Sequence, residues 1–217
     1  MAETVKLHLL HDAEHLADSV RALCAIDCRF LDIVNLYGVP SLRASQPGLE
    51  SLLMIVCEQF LSLHAAAAIW ERVHARLTPF SAAQVLAVPT DELLALGLSR
   101  AKARSFHQIA ARVHSGTFDF VGLEICSEVE VRQRLCALPG VGPWTADIYL
   151  LSALQAMDAW PSGDLALRVA VQDLLKLESL PLIKDMTHHA TPWRPYRAVA
   201  ARLLWSHYRG LKGLKQA

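Results

Sequence analysis

Apolar positions recur every three to four residues along most of the chain, which is the period of an α-helix buried on one face. This pattern predicts one long helix over 51–75 and another that follows the N-cap Ser99 and ends at Gly116. Alternating strand patterns with turn pairs are missing, so the expected fold class is all-α. Shorter helices are predicted over 131–137, 144–157, 165–177 and 196–208.

The stretch LPGVGPWTAD, residues 138–147, interrupts this pattern between two predicted helices. Pro139 cannot continue the first helix, and Pro143 is typical of the first turn of the second. Gly140 and Gly142 allow positive φ or the close approach of another backbone. Unpaired N–H groups at the helix start favour an anion such as phosphate. The stretch predicts a DNA-backbone contact that reads no base sequence; the alternative is a simple chain reversal.

Length and composition are those of a globular protein. The 217 residues can form one large domain or two small interleaved ones. No 18-residue apolar run is present, and the N-terminal MAETVKLHLLHDAEHL is too polar for a signal peptide. We therefore expect a cytoplasmic protein with no membrane contact. Five cysteines without paired spacing predict reduced thiols, although Cys24 and Cys28 would share a helix face.

Charge is balanced overall but unevenly distributed. The formal net charge is zero, with 7 basic and 11 acidic residues in 1–100 against 14 and 10 in 101–217. From Met186 onward there are six basic residues and no acidic one. Such a basic end can present a local positive face to phosphates, although it is also consistent with a solvated helix tail.

A second signal lies downstream of the glycine turn. Residues 160–163, WPSG, form a predicted loop, and Asp164 then opens the helix LALRVAVQDLL, where it is an ordinary N-cap. Asp164 lies 20 residues after Trp144. A hairpin, a Gly/Pro loop and then Asp resembles the helix-hairpin-helix–Gly/Pro–Asp superfamily of base-excision DNA glycosylases. Within it, the chain is similar to the DNA-3-methyladenine glycosylase II (AlkA-like) class.

The resemblance covers most of the chain. Residues 47–70 resemble the family segment with a GQQ-x-S core, 96–116 its G-[LI]-S-x-x-K-A helix, and 193–205 its W-R-P-[WY]-R-S helix. The family fold implies two helical subdomains with an active-site cleft between them. One would combine 1–45 with 161–217; the other, 46–160, would carry the helix-hairpin-helix at 131–151.

The resemblance also implies the chemistry. Bifunctional relatives carry a nucleophilic lysine just after the hairpin, where this chain has Trp144, and no lysine lies between Lys102 and Lys176. We therefore expect a monofunctional enzyme without lyase activity that hydrolyses the N-glycosidic bond of alkylated purines. Asp164 is the expected catalytic carboxylate, which stabilises the cationic sugar and orients water. Asp147 and Asp158 are the rival carboxylates.

The damaged base must leave the duplex to react, so a pocket and a wedge are expected. The pocket candidates are Trp144, Trp205, Ile148 and Tyr149, with Trp160 and Trp193 as weaker ones. Ile148 stands where some relatives have Tyr, which puts the substrate range in question. Leu61 matches the family's intercalating position, and Phe60 is the alternative wedge. Glu58 and Pro143 depart from the family pattern, and an acidic Glu58 is unfavourable near DNA.

The expected ligands are few. The resemblance implies DNA contacts from the hairpin residues Leu138, Gly140, Val141 and Gly142. It also implies a structural Na⁺ or K⁺ on the backbone carbonyls of Cys136, Leu138 and Val141. No cofactor is required and no iron–sulfur cluster is expected, since no cysteine follows Cys136. The expected partner is damaged double-stranded DNA, bound by a monomer at the bacterial nucleoid. The alternatives are a non-catalytic DNA-binding module and a helical protein–protein scaffold.

Overall fold

The computed structural model describes residues 7–42 and 45–214. Within these ranges there are twelve α-helices, two short 3₁₀-helices and no strand, so the predicted all-α class is confirmed. No described helix combines the length and apolar character needed to cross a membrane. Residues 1–6, 43–44 and 215–217 lie outside the described part, and with them the start of the polar N-terminal segment and Lys215 of the basic end.

The chain divides into two compact units. The first unit is Ser45–Tyr149, and its core is built around one central helix, α7 (Arg100–His114), against which three other helices pack. Phe106 and Ile109 of that helix are completely buried. The helices of this unit are α3 (Leu49–Glu58), α4 (Leu63–Leu77), α5 (Ala82–Ala87), α6 (Thr90–Ala95), α7 (Arg100–His114), a 3₁₀-helix (Leu123–Ile125), α8 (Glu128–Cys136) and the first part of α9 (Pro143–Ser152).

The second unit combines residues 7–42 with 150–214. Its last helix is buried along much of its length and packs against three others, because a run of small side chains at 198–201 allows close approach. Its helices are α1 (Ala13–Ile26), α2 (Arg29–Tyr37), the last residues of α9, α10 (Leu165–Leu174), α11 (Ile183–His189), a 3₁₀-helix (Thr191–Trp193) and α12 (Arg197–Leu211).

The boundary between the two units falls inside α9. The predicted subdomain boundary at 160/161 stays a prediction. Residues after Tyr149 belong to the second unit because they bond to its segments. The N–H of Leu10 donates to the carbonyl of Gln155 at 2.8 Å, and the N–H of Met157 donates to that of His8 at 2.7 Å. α9 ends at Ser152, whereas the sequence predicts its end at 157. The expected cleft between subdomains stays a prediction.

Local capping signals set several helix starts as predicted. Ser99 accepts a hydrogen bond from the N–H of Lys102 and begins α7, and Pro143 is the first residue of α9. The single helix predicted over 51–75 is wrong. Its apolar pattern continues, but the chain forms α3 and α4 with a four-residue loop at 59–62 between them, and Ser62 caps α4.

Candidate active site and nucleic-acid interface

Asp164 begins α10, as the sequence predicts. The loop before it closes where the N–H of Asp164 donates to the carbonyl of Pro161 at 2.9 Å. Oδ1 of Asp164 accepts hydrogen bonds from the N–H of Leu167 at 2.9 Å and from the indole Nε1–H of Trp205 at 3.2 Å. The half-buried carboxylate is thereby fixed at a helix N-terminus, where the helix dipole favours a negative charge. The structure brings together two residues predicted for the site, Asp164 and Trp205.

The rival carboxylates are both bound to arginines. Asp147 is buried on α9 and accepts from Arg132 Nε at 2.8 Å. This ion pair joins the two helices that flank the hairpin. Asp158 receives two hydrogen bonds from the buried Arg197, at 2.7 and 2.8 Å. Each of these carboxylates therefore has a structural role, because its removal would take a charged partner from a guanidinium inside the fold.

The hairpin, residues 138–142, is a tight turn between α8 and α9. Leu138 and Val141 are buried, and the N–H of Val141 donates to the carbonyl of Leu138 at 3.2 Å. Gly140 has φ +80°, and a Cβ there would clash with Oγ of Ser105 on α7. Gly142 differs, because a Cβ at that residue would meet no described atom within 4 Å. The sequence predicts positive φ or a close approach at both glycines. Of the two, only Gly140 has positive φ and a close neighbour within the fold.

The wedge loop, residues 59–62, carries an apolar side chain into solvent. Phe60 is 102% exposed and has φ +58°, a left-handed conformation that non-glycine residues adopt rarely. Leu61 is 38% exposed. The half-buried Glu58 ends α3 just before this loop, and burial raises the pKa of its carboxyl.

The fold and parts of the sequence match known DNA repair proteins, although no family model matches the chain. DNA-3-methyladenine glycosylase 1 of Schizosaccharomyces pombe is 29% identical over 181 residues, which are 82% of this chain and 79% of that protein. The solved structure of S. pombe 3-methyladenine DNA glycosylase Mag1 with abasic DNA superposes with a TM-score of 0.80 at 26% identity. The superposed region covers 87% of this chain and 95% of the Mag1 chain.

A more local match has higher identity. A Mycobacterium tuberculosis protein named probable bifunctional transcriptional activator/DNA repair enzyme AlkA is 42% identical over 82 residues. That match spans 37% of this chain but only 16% of the AlkA protein. In sequence and in fold the chain is thus similar to proteins named DNA-3-methyladenine glycosylases, which is consistent with the helix-hairpin-helix–Gly/Pro–Asp superfamily.

The predicted pocket residues of this chain have different surroundings. Trp144 and Trp205 are half-buried, whereas Ile148 is buried on α9. Tyr149 is 0% exposed, its hydroxyl accepts from the N–H of Gly48 at 2.8 Å, and burial raises its pKa. Tyr149 therefore packs as a core residue in this structure, and its predicted pocket role stays a prediction. The pocket roles of Trp144, Trp205 and Ile148 stay predictions.

The two weaker pocket candidates are also core residues. Trp193 is completely buried, and its Nε1 donates to Asp27 at 2.8 Å. Trp160 packs edge-on against Trp193, with ring centroids 5.7 Å apart, and donates to the carbonyl of Met186. A tryptophan whose N–H is satisfied inside the fold stabilises that fold. The sequence does not distinguish such residues from pocket aromatics, because both occur in the same motifs.

Two residues that the sequence does not mark as functional support the wedge loop. The amide Nε2 of Gln59 donates to the carbonyl of Gly140 at 3.0 Å and to Oγ1 of Thr145 at 2.8 Å. Lys102 Nζ donates to the carbonyls of Cys57 and Gln59 at 2.8 and 2.7 Å. Both residues lie inside segments that resemble the family, but only the fold reveals what they contact.

Proposed function

We propose that the protein is a monofunctional DNA glycosylase that removes alkylated purines of the 3-methyladenine type from double-stranded DNA. The observation that carries the proposal is the Asp164 carboxylate, held at the start of α10 by the N–H of Leu167 and the indole of Trp205. The similarity to a 3-methyladenine glycosylase over 82% of this chain supports the choice of reaction. Excision of the base would leave an abasic site in the DNA.

The reaction requires little more than this carboxylate. An alkylated purine carries a positive charge, so the base leaves with the electron pair of the broken glycosidic bond and without prior protonation. Positive charge then develops on the sugar, where a fixed carboxylate stabilises it electrostatically. The oxygen of a water molecule bonds to the anomeric carbon, and its proton passes to the carboxylate or to solvent. Because Trp144 occupies the position of the lyase lysine, we propose that the reaction stops at base hydrolysis.

DNA binding is assigned to the first unit. The hairpin would contact the phosphate backbone through main-chain N–H groups, and the open space over Gly142 supports a close approach of DNA there. Of the two predicted wedge residues, we assign insertion into the duplex to Phe60, because its side chain is fully exposed whereas Leu61 is 38% exposed. We keep Trp144 as the proposed stacking surface for the cationic base.

A monovalent cation remains part of the proposal. Backbone carbonyls are suitable ligands for Na⁺ or K⁺, and those of Cys136, Leu138 and Val141 come from one tight turn. The carbonyl of Leu138 accepts one hydrogen bond, from Val141, which leaves its second lone pair for a ligand. Among the described residues, no cluster of His, Cys, Asp or Glu could hold a metal ion. The monomeric state and the nucleoid location follow from the proposed activity and stay predictions.

Substitution Asp164→Asn tests the proposal. Asn is as good an N-cap as Asp, so α10 should keep its start while the carboxylate charge is lost. We expect single-turnover release of free base from methylated DNA to fall at least ~100-fold, while affinity for that DNA is retained. The matched control is Asp32→Asn, at an exposed position on α2. Release at the wild-type rate by Asp164→Asn would overturn the assignment of Asp164, whereas no release by the wild-type protein would favour the non-catalytic DNA-binding alternative.

A further inference from the structure

Phe60 adopts a conformation that its own sequence does not favour. An exposed aromatic ring gains nothing from burial, and a left-handed φ is unfavourable for a residue with a Cβ. Such a conformation persists only where the surrounding structure determines it. The loop must therefore be held by contacts on either side of Phe60.

Lys102 provides one of these contacts. Its ammonium group reaches from α7 to the last carbonyls of α3, and donates to Cys57 O at 2.8 Å and Gln59 O at 2.7 Å. The final carbonyls of a helix lack partners inside the helix, and the negative end of the helix dipole attracts a cation. Burial lowers the pKa of Lys102, yet its two charge-assisted bonds fix the backbone up to the residue before Phe60.

Gln59 provides the other contact. Its amide crosses to the hairpin and donates both to the carbonyl of Gly140 and to the hydroxyl of Thr145, a buried residue of α9. Gln59 thus uses its backbone to bond Lys102 and its side chain to bond the hairpin. Ser105, close to Gly140, lies on the same helix as Lys102. The wedge loop, α7 and the hairpin are joined by hydrogen bonds and close packing within the first unit.

We propose that Gln59 and Lys102 are positioning residues that hold Phe60 in its exposed left-handed conformation and fix it relative to the hairpin. The inference rests on the proposed function, because it assigns Phe60 as the wedge. Its consequence is that the wedge and the backbone-binding turn meet the duplex as one preorganised body. Without this support, Phe60 would relax to an ordinary φ and would have to be ordered again each time DNA binds.

A double-mutant cycle tests this inference. The variants are Gln59→Ala, Phe60→Ala and the double variant, with Gln108→Ala as the matched control on α7. The measurements are the affinity of each variant for duplex DNA with a tetrahydrofuran abasic site, and the fluorescence rise of 2-aminopurine beside that site, which reports loss of stacking when the wedge inserts. Thermal unfolding of each variant verifies that it is folded.

We expect Phe60→Ala to abolish the fluorescence rise. Gln59→Ala should slow it about fivefold to tenfold, the size expected for one or two lost hydrogen bonds, and Gln108→Ala should match wild type. In the Phe60→Ala background, Gln59→Ala should cause no further loss of DNA affinity, because its role acts through the wedge. The proposal would be overturned if the two substitutions caused independent, additive losses of DNA affinity. It would also be overturned if Gln59→Ala gave the wild-type rate of fluorescence rise.

Lys102 variants give a second measure if Gln59→Ala does not fold. Lys102→Met keeps the apolar stem and removes the donors, so it should slow insertion; Lys102→Arg keeps a cation with several donors and should restore most of the rate. Equal rates for the Met variant and wild type would contradict the role of Lys102. The fluorescence does not require base cleavage, so a wild-type protein that inserts its wedge yet releases no base would contradict the proposed function alone.

Discussion

At the scale of single residues, the contacts of Asp147 and Asp158 indicate structural roles, whereas Asp164 is the proposed catalytic carboxylate. Asp147 and Asp158 are bound to the guanidinium groups of Arg132 and Arg197, which neutralise them. Asp164 accepts hydrogen bonds from the backbone N–H of Leu167 and the indole N–H of Trp205. These bonds fix the position of the carboxylate, which the proposed stabilisation of a cationic sugar requires.

The indole N–H of Trp205 gives a prediction that separates orientation from stacking. Trp205→Phe removes the hydrogen bond to Asp164 but keeps an aromatic ring. We expect single-turnover base release to slow about tenfold with DNA affinity unchanged, because a carboxylate that loses one bond samples more orientations. Trp205→Ala removes the ring as well and should be slower still. Equal rates for Trp205→Phe and wild type would show that only the ring contributes.

Glu58 gives a prediction about pH. Burial raises its pKa above the ordinary 4.5, so the ionised form destabilises the fold at neutral pH. The negative end of the α3 dipole acts in the same direction. Glu58→Gln should raise the Tm at pH 7 by about 2 °C, which corresponds to under 1 kcal/mol in a protein of this size.

The pH dependence follows from the sign of the shift. The folded state holds the Glu58 proton more tightly than the unfolded state, so the stability of the wild-type protein falls as pH rises from 4.5 through the raised pKa. The advantage of Glu58→Gln should vanish below pH 4.5, where the carboxyl is protonated in both states. Thermal unfolding across this range, with Glu71→Gln as an exposed control on α4, measures the difference. A difference that does not change with pH would refute the burial explanation.

At the scale of elements, the two glycines of the hairpin have different roles. Gly140→Ala places a Cβ against Ser105 and keeps φ at +80°, so it should cost about 2 kcal/mol or more of stability. Gly142→Ala meets no described atom within 4 Å, and should leave the Tm nearly unchanged while weakening DNA binding. Thermal unfolding and DNA titration of both variants measure this; two equally destabilised proteins would contradict it.

The wedge loop shows why helix boundaries escape a sequence pattern. Residues 51–75 keep an apolar helical period across the loop, and the local sign of a break is the N-cap Ser62 of α4. At the end of α3, Lys102, which lies far along the chain, donates to the carbonyls of Cys57 and Gln59. The capped starts at Ser99 and Asp164, by contrast, were predictable because their signals lie within three residues of each other.

At the scale of the whole molecule, a formal net charge of zero means that attraction to DNA must come from local groups. Arg100 and Arg104 are exposed and four residues apart on α7, the helix that contacts both the wedge loop and the hairpin. Helical spacing places them on one face. The formal net charge of zero gives no indication of this pair of positive charges.

Replacement of both arginines by alanine should therefore reduce the salt dependence of DNA affinity. Each arginine that neutralises one phosphate contributes about 0.9 to the slope of log K against log salt concentration, so the double variant should lose about 1.8. Arg112→Ala, an exposed change at the far end of the same helix, serves as the control. Titration of duplex DNA at several salt concentrations gives the slopes; an unchanged slope in the double variant would exclude α7 from the interface.

By itself, the sequence determined the all-α class, the hairpin and the start of α10 at Asp164, because helical period, glycine turns and caps are local properties of the chain. Only the tertiary structure decided which carboxylates are bound to arginine, that Tyr149, Trp160 and Trp193 are core residues, and that α3 ends where it does. It also revealed the contacts of Gln59 and Lys102 with the wedge loop. These features depend on residues that are distant in sequence and meet only when the chain packs.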